Sequence, residues 1–320
     1  MTKTLLAMTF CVAAWGQAPA VLLIDVENSV NYIGDVSDMT KLASTSGAVA
    51  GTSRSFENHM VIADIVAVNG QPVKGTFVNR GQLVTLSPTA GPGQAMANIS
   101  RTGANQFTFE IQKLDGSPVG SIMAVGLAGG PAPPGGPLLS NQGNNAISGG
   151  TGAFVGVRGQ AGQVAPAVAA NRAASMAEDP LNRQTNGAAG KLRFVLQLLP
   201  ESRPQVAAVT HSKDYTMLSA TSPAVGGEIL SVFATGLGAT VPAVDLGQPF
   251  PAAPPAVVSA PVDVLVNGKS AEVLGAVGFP GSVDGYQVNF RMPTDLPKGT
   301  ATVQLRAAWI PGIAVSIPVQ

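Results

Sequence analysis

Three times along this chain a two-residue turn signal separates two apolar, β-branched runs. Asn69-Gly70 lies between Met60–Val68 and Gln71–Val78, Asp115-Gly116 between Phe107–Leu114 and Pro118–Val125, and Asn267-Gly268 between Val262–Val266 and Ala271–Val277. Asn, Asp and Gly tolerate the positive φ that the tightest hairpins need, so each signal predicts two antiparallel strands joined by a minimal loop. Parallel neighbours would need a crossover of about a dozen residues or more, which these spacings do not leave. The chain is thereby confined to an antiparallel, all-β class.

The remaining stretches fit the same class. Val21–Tyr32 alternates, with Leu22, Ile24 and Val26 on one face and Leu23, Asp25 and Glu27 on the other. Arg80–Leu86, Ala95–Ile99 and Lys191–Leu199 read as further strands of an antiparallel meander. Gly129–Pro137 can be neither strand nor helix, because proline removes donors and glycine loosens the backbone. Between Ala146 and Gly162, two glycine clusters flank Ala153-Phe154-Val155. Gly149, Gly150, Gly152, Phe154, Gly156 and Gly159 read as a structural motif: a tight turn and close strand packing. The spacing misses a phosphate-cradling Gly-x-Gly-x-x-Gly, and no βαβ context surrounds it. Residues 164–190 form an alanine-rich excursion in which Asn171–Glu178 is expected to be a helix, stopped by Pro180.

Pro200 and Pro204 mark a boundary, after which the pattern restarts. Gly227–Leu237, Val262–Val266, Ala271–Val277, Tyr286–Met292, Thr300–Trp309 and Ile313–Val319 are expected strands, with a proline-rich connector over 242–261. Short strands with turn signals at this spacing describe a β-sandwich. The expected layout is therefore a leader over 1–16, an antiparallel β domain over 17–202, which the resemblance given below implies to be a barrel, and a sandwich over 203–320.

The leader is read from Lys3, the apolar run Leu5–Trp15 and the small-x-small site Ala14-Trp15-Gly16, which together predict export and cleavage after Gly16. The single cysteine, Cys11, lies inside that leader, so the mature chain is expected to hold no disulfide. Eighteen Lys and Arg balance eighteen Asp and Glu, which gives no electrostatic footprint for nucleic acid. No later apolar run is long enough to span a bilayer as a helix.

Two resemblances cover nearly all of the expected mature chain. Over 17–200 it resembles the allene oxide cyclase and dirigent type of barrel, most specifically at Ile147–Gln160, where Gly149-Gly150-x-Gly152-x-Phe154-x-Gly156 and Gly159-Gln160 match. This resemblance implies an up-and-down antiparallel barrel with a central cavity, and an acidic pocket residue near Asp25 and Glu27. The sequence Asn28-Ser29-Val30-Asn31 departs from the downstream pattern that the cyclases pair with that acid. The second resemblance is to the immunoglobulin-like C-terminal module of many secreted acidobacterial proteins. It rests on Glu228–Leu237, Gly236-Leu237-Gly238, Val266-Asn267-Gly268, Gln287–Phe290 with Pro293, and Pro297-Lys298-Gly299. That module has no assigned activity and trails another exported domain.

Asp25 and Glu27 are the catalytic candidates, provided that they face a lumen where burial would raise their pKa. The alternative is a solvated outer face. His59 and His211 are the only histidines and fall in different expected domains, so no metal site is expected, and no cofactor. There is no Gly-x-Ser-x-Gly elbow; spacing alone does not exclude a Ser-His-Asp triad, and nothing in the sequence points to one. Trp309, Tyr286 and Phe290 are expected in the core rather than on a sugar-stacking platform. The expected function is non-catalytic: an exported protein that binds a small apolar ligand in the barrel, or an adhesion or surface component that meets an extracellular partner through the second module. The alternative is a cofactor-free cyclase or isomerase, or a dirigent-like guide of radical coupling, acting in the barrel cavity.

Overall fold

The computed structural model describes residues 19–35, 54–86, 103–128, 142–164, 172–187 and 190–320. The expected leader, the Ala95–Ile99 strand and the Gly129–Pro137 loop lie outside these. The described chain is nearly all β. Ten strands make the first sheet: β1 (Ala20–Asp35), β2 (Arg54–Val68), β3 (Gln71–Pro72), β4 (Lys74–Leu86), β5 (Gly103–Gln112), β6 (Pro118–Ala128), β7 (Gln142–Gly150), β8 (Arg158–Val164), β9 (Arg172–Ser175) and β10 (Leu192–Leu199). β2, β4, β5, β6, β7, β8, β10 and β1 follow one another antiparallel, and β1 pairs back to β2, so eight strands close a barrel. Closure leaves no edge among these eight.

All three hairpin signals join antiparallel strands, two of them through the expected two-residue turn; at Asp115-Gly116 the connection runs over Lys113–Ser117 and only Gly116 has positive φ, at 88°. Asn69 and Gly70 have φ of 50° and 77°, and Asn267 and Gly268 of 49° and 78°, the conformation of a primed two-residue turn. Gln71–Val78 and Arg80–Leu86 are not two separate strands; Lys74–Leu86 is one continuous strand. In β1 the inward set Leu22, Ile24 and Val26 is almost wholly buried. A bulge between Glu27 and Val30, with Asn28 at φ 54°, then reverses the alternation. Beyond it Val30 and Tyr32 point outward.

The expected helix at Asn171–Glu178 is corrected. Arg172–Ser175 is strand β9, which pairs parallel with Val30–Ile33 of β1. Alanine-rich composition favours a helix, but the reversed stretch of β1 exposes Val30 and Tyr32, and the excursion covers them. Val30, Tyr32 and Ala174, with Met60, Ile62 and Met176, form a small second core outside the barrel wall. Asp64 on β2 anchors this excursion: it pairs with Arg183 and accepts from Gln184 and Asn28.

The barrel has two different ends. The β2–β3, β5–β6 and β7–β8 connections are short and turn at one end, where Phe154, in a 3₁₀ turn over Gly152–Phe154, is buried against the core. The connections β1–β2, β4–β5, β6–β7 and β8–β9 all leave from the other end, the first three of them longer. Midway, Phe77, Phe107, Phe109 and Phe194 fill the lumen, their ring centroids 4.5 to 6.2 Å apart.

The second unit has β11 (Gln205–His211), β12 (Ile229–Thr235), β13 (Thr240–Val241), β14 (Val257–Val258), β15 (Val262–Val266), β16 (Lys269–Gly278), β17 (Tyr286–Arg291), β18 (Gly299–Ala307), β19 (Ile310–Pro311) and β20 (Val315–Val319). One layer runs β11-β12-β17-β16; in the other, β18 pairs with β15, β19 and β20. β16 belongs to both, pairing with β15 over Lys269–Ala271 and with β17 over Glu272–Gly278, so the sheet curls upon itself. Leu230, Val232, Val264, Val288, Phe290, Val303 and Leu305 meet inside it. Tyr286, Phe290 and Trp309 are buried, in line with a core role. Trp309 also reaches the short-turn end of the barrel, where its indole N–H donates to Gln71 Oε1 at 2.6 Å. Buried apolar side chains of both units form one continuous core.

Candidate functional site

Alternation along a strand decides which side chains face the lumen. On β2, His59 shares its face with Val61, Ala63 and Ile65. On β4, Asn79 and Gly81 share theirs with Phe77; on β5, Asn105 with Phe107 and Phe109; on β7, Asn145 with Ile147. All four polar residues are nine-tenths or more buried. Strand register relates them around the wall, and hydrogen bonds link His59, Asn79 and Asn105. His59 pairs with Gly81, Gly81 with Asn105, Asn105 with Gly126 and Gly126 with Asn145. Polar side chains thus alternate with glycines around the wall, above the phenylalanine floor. A Cβ at Gly81 would stand 2.6 Å from His59 Cε1 and 2.7 Å from Asn105 Oδ1, so the missing side chain is what lets these two groups lie inward. The bulge of β1 adds Ser29, fully buried, and Asn31, which pairs with the inward-facing Val61.

The hydrogen bonding of this zone is incomplete. Asn79 Nδ2 donates to His59 Nε2 at 3.3 Å and to Asn105 Oδ1 at 3.5 Å. His59 Nδ1, Asn79 Oδ1, Asn145 Oδ1, Ser29 Oγ and Asn31 Oδ1 are buried with no partner. An unsatisfied buried polar atom costs about 1–3 kcal/mol, so each of these atoms offers a place to a polar partner, water or ligand. Among the described side chains no carboxylate and no lysine or arginine faces this zone. It can hold a neutral molecule through hydrogen bonds, and it lacks the several imidazole or carboxylate ligands that a metal needs. A depression of about 690 Å³ also touches His59, Gly81 and Asn105, its remaining wall coming from outward residues such as Met60, Arg80, Gln106 and Met176.

Burial pushes the His59 imidazole below its ordinary value, and the neighbouring Asn105 amide opposes that only in part. The folded barrel therefore resists protonation, while the unfolded chain takes up a proton near the ordinary pKa of 6.5. The stability tied to neutral His59 is intact above that pH and is lost as pH falls from there through the folded value. Urea unfolding at pH 7.5 and pH 5 is expected to show a larger loss on acidification for the wild-type chain than for His59→Gln. Equal losses would place the source elsewhere.

The catalytic candidates lie on the other side of the wall. Asp25 and Glu27 alternate with the buried Leu22, Ile24 and Val26 and face outward. Asp25 accepts from Arg193 at 2.5 and 2.8 Å, directly across the β1–β10 ladder, and Glu27 pairs with Lys191 at 2.7 Å. They meet basic partners at the surface and do not enter the lumen. The glycine motif also lies away from the polar zone, at the short-turn end. Gly149 and Gly150 finish β7, Gly156 follows the 3₁₀ turn, and Gly159 lies in β8. Gly152 has φ of 60°, and a Cβ there would stand 2.5 Å from the Val119 carbonyl oxygen. Sequence reasoning missed the asparagine and histidine zone. The available signal was one of phase, since each polar residue occupies the same alternation as its strand's apolar residues.

Comparison of the chain with family models, curated proteins and solved structures found no match.

Proposed function

We propose that this chain is an exported, two-domain protein whose barrel holds a small neutral molecule without transforming it. The observation that carries the reading is the inward zone of His59, Asn79, Asn105 and Asn145 with its unpartnered polar atoms. The ligand class differs from the apolar one expected from the sequence. Aromatic rings fill the middle of the lumen, and the groups above them offer amide and imidazole hydrogen bonds. A hydroxyl- or amide-bearing molecule satisfies such groups; a hydrocarbon leaves them orphaned. The closed antiparallel barrel supports the likeness to the allene oxide cyclase and dirigent type. A cyclase reading draws nothing from Asp25 and Glu27, which face outward. The second unit, immunoglobulin-like by resemblance, serves as the spacer or attachment module that meets an extracellular partner.

Native mass spectrometry of the protein purified from its own secreted fraction tests this. A retained small molecule is expected on the wild-type chain, and Asn145→Leu, which removes the polar group while keeping the branched shape, is expected to lose it. A wild-type chain that is folded and carries no added mass, or a variant that retains the mass in full, would overturn the reading.

A further inference from the structure

The second unit holds a separate constellation. His211 ends β11 and is buried, its side chain 6 % exposed. Its Nδ1 lies 2.9 Å from Glu228 Oε2, and its Nε2 lies 3.0 Å from Ser222 Oγ. A carboxylate only accepts, so in the neutral imidazole Nδ1 carries the proton and donates it to Glu228. Nε2 then presents its lone pair to the Ser222 hydroxyl. The Ser222 carbonyl oxygen, 3.3 Å from Nε2, competes as a partner only when the ring is doubly protonated. From this hydroxyl–imidazole–carboxylate order we infer that the second unit carries a serine nucleophile, Ser222, with His211 as its base and Glu228 as the group that orients the base.

Each member is held by the backbone around it. Ser222 closes a tight hairpin, donating its N–H to the Ser219 carbonyl and accepting from the Ser219 N–H, both at 3.0 Å. Glu228 Oε1 accepts from the Val225 N–H at 2.6 Å, which fixes the carboxylate. His211 N–H donates to the Thr216 carbonyl, and its own carbonyl accepts from Tyr215. The hairpin tip, Ala220 and Thr221, is exposed, and Ser222 is half-buried beside it, so an acyl donor can approach from solvent. Met217, which bridges to Thr210 next to His211, and Val225, three residues after Ser222, are exposed apolar side chains. The substrate class is a small ester with an apolar acyl group. Ser222 Oγ bonds to the carbonyl carbon while its proton passes to His211 Nε2. The ester C–O bond then breaks, and the leaving alcohol takes that proton. Water hydrolyses the acyl-serine by the same proton route.

This inference stands on the second unit alone and is independent of the barrel reading. Diisopropyl fluorophosphate is the probe: Ser222 Oγ displaces fluoride from phosphorus and its proton leaves through His211. Intact-mass analysis is expected to show one adduct on the full chain, mapped to the peptide containing Ser222 and missing in Ser222→Ala. His211→Gln is expected to slow labelling by about 10²- to 10⁴-fold. Glu228→Gln keeps an acceptor opposite Nδ1 and is expected to slow labelling roughly tenfold or more in a folded chain. A burst of p-nitrophenol from p-nitrophenyl acetate should follow the same order of variants. No adduct on the folded wild-type chain, an unchanged adduct in Ser222→Ala, or wild-type labelling in Glu228→Gln would each overturn it.

Discussion

Phe77→Ala is expected to destabilise the barrel by about 3–5 kcal/mol, the cost of emptying a large, fully buried aromatic site. Phe77 is 1 % exposed, and its ring centroid lies 4.5 Å from that of Phe194, 4.9 Å from Phe109 and 5.5 Å from Phe107. Removing it strips one partner from each of three rings at once. They come from β5 and β10, on different sides of the barrel, so local collapse cannot refill the space. Native-state hydrogen exchange of β4 and β5 amides reads the barrel separately from the second unit. A loss below about 1 kcal/mol would mean that the floor is loosely packed.

The second large effect is at Gly159. Its φ is 141°, and a Cβ there would lie 1.9 Å from the backbone oxygen of Gln197 on β10. A backbone carbonyl in a ladder cannot step aside, so Gly159→Ala combines an unfavourable conformation with a clash and is expected to cost roughly 3 kcal/mol or more. Gly70→Ala is the internal comparison. Its φ is 77°, and nothing lies within 4 Å of its Cβ direction, so only the conformational cost of about 1–2 kcal/mol remains. Equal midpoints for the two variants in urea unfolding would contradict the assigned close approach of β8 to β10.

Both positions were partly legible in the sequence. The glycine motif around Phe154 announces close backbone approach, because few other demands cluster glycines between apolar runs. The hairpin signals were equally legible, since positive φ at Asn69-Gly70 and Asn267-Gly268 is a local requirement written into local residues. The bulge at Asn28 was not legible. It adds one residue to β1 against β2, and nothing in Glu-Asn-Ser-Val distinguishes a strand that keeps its phase from one that reverses it. That reversal also explains the failed helix: Arg172–Ser175 follows a demand made far away by Val30 and Tyr32. Asp25 and Glu27 were the residues that a sequence reading selects, because acids on a strand stand out. His59, Asn79, Asn105 and Asn145 did not stand out. Single polar residues in separate strands look solvated until register places them side by side.

The two unlike ends of the barrel carry a further consequence. The second unit meets the end with the short turns, through Trp309 and Gln71. Insertions or exchanges in the connections at the opposite end would therefore leave both the junction and the phenylalanine floor untouched. Selection can rewrite the rim near the polar zone while the rest of the molecule is inherited unchanged, so relatives of this chain should diverge in what they hold sooner than in how they are joined.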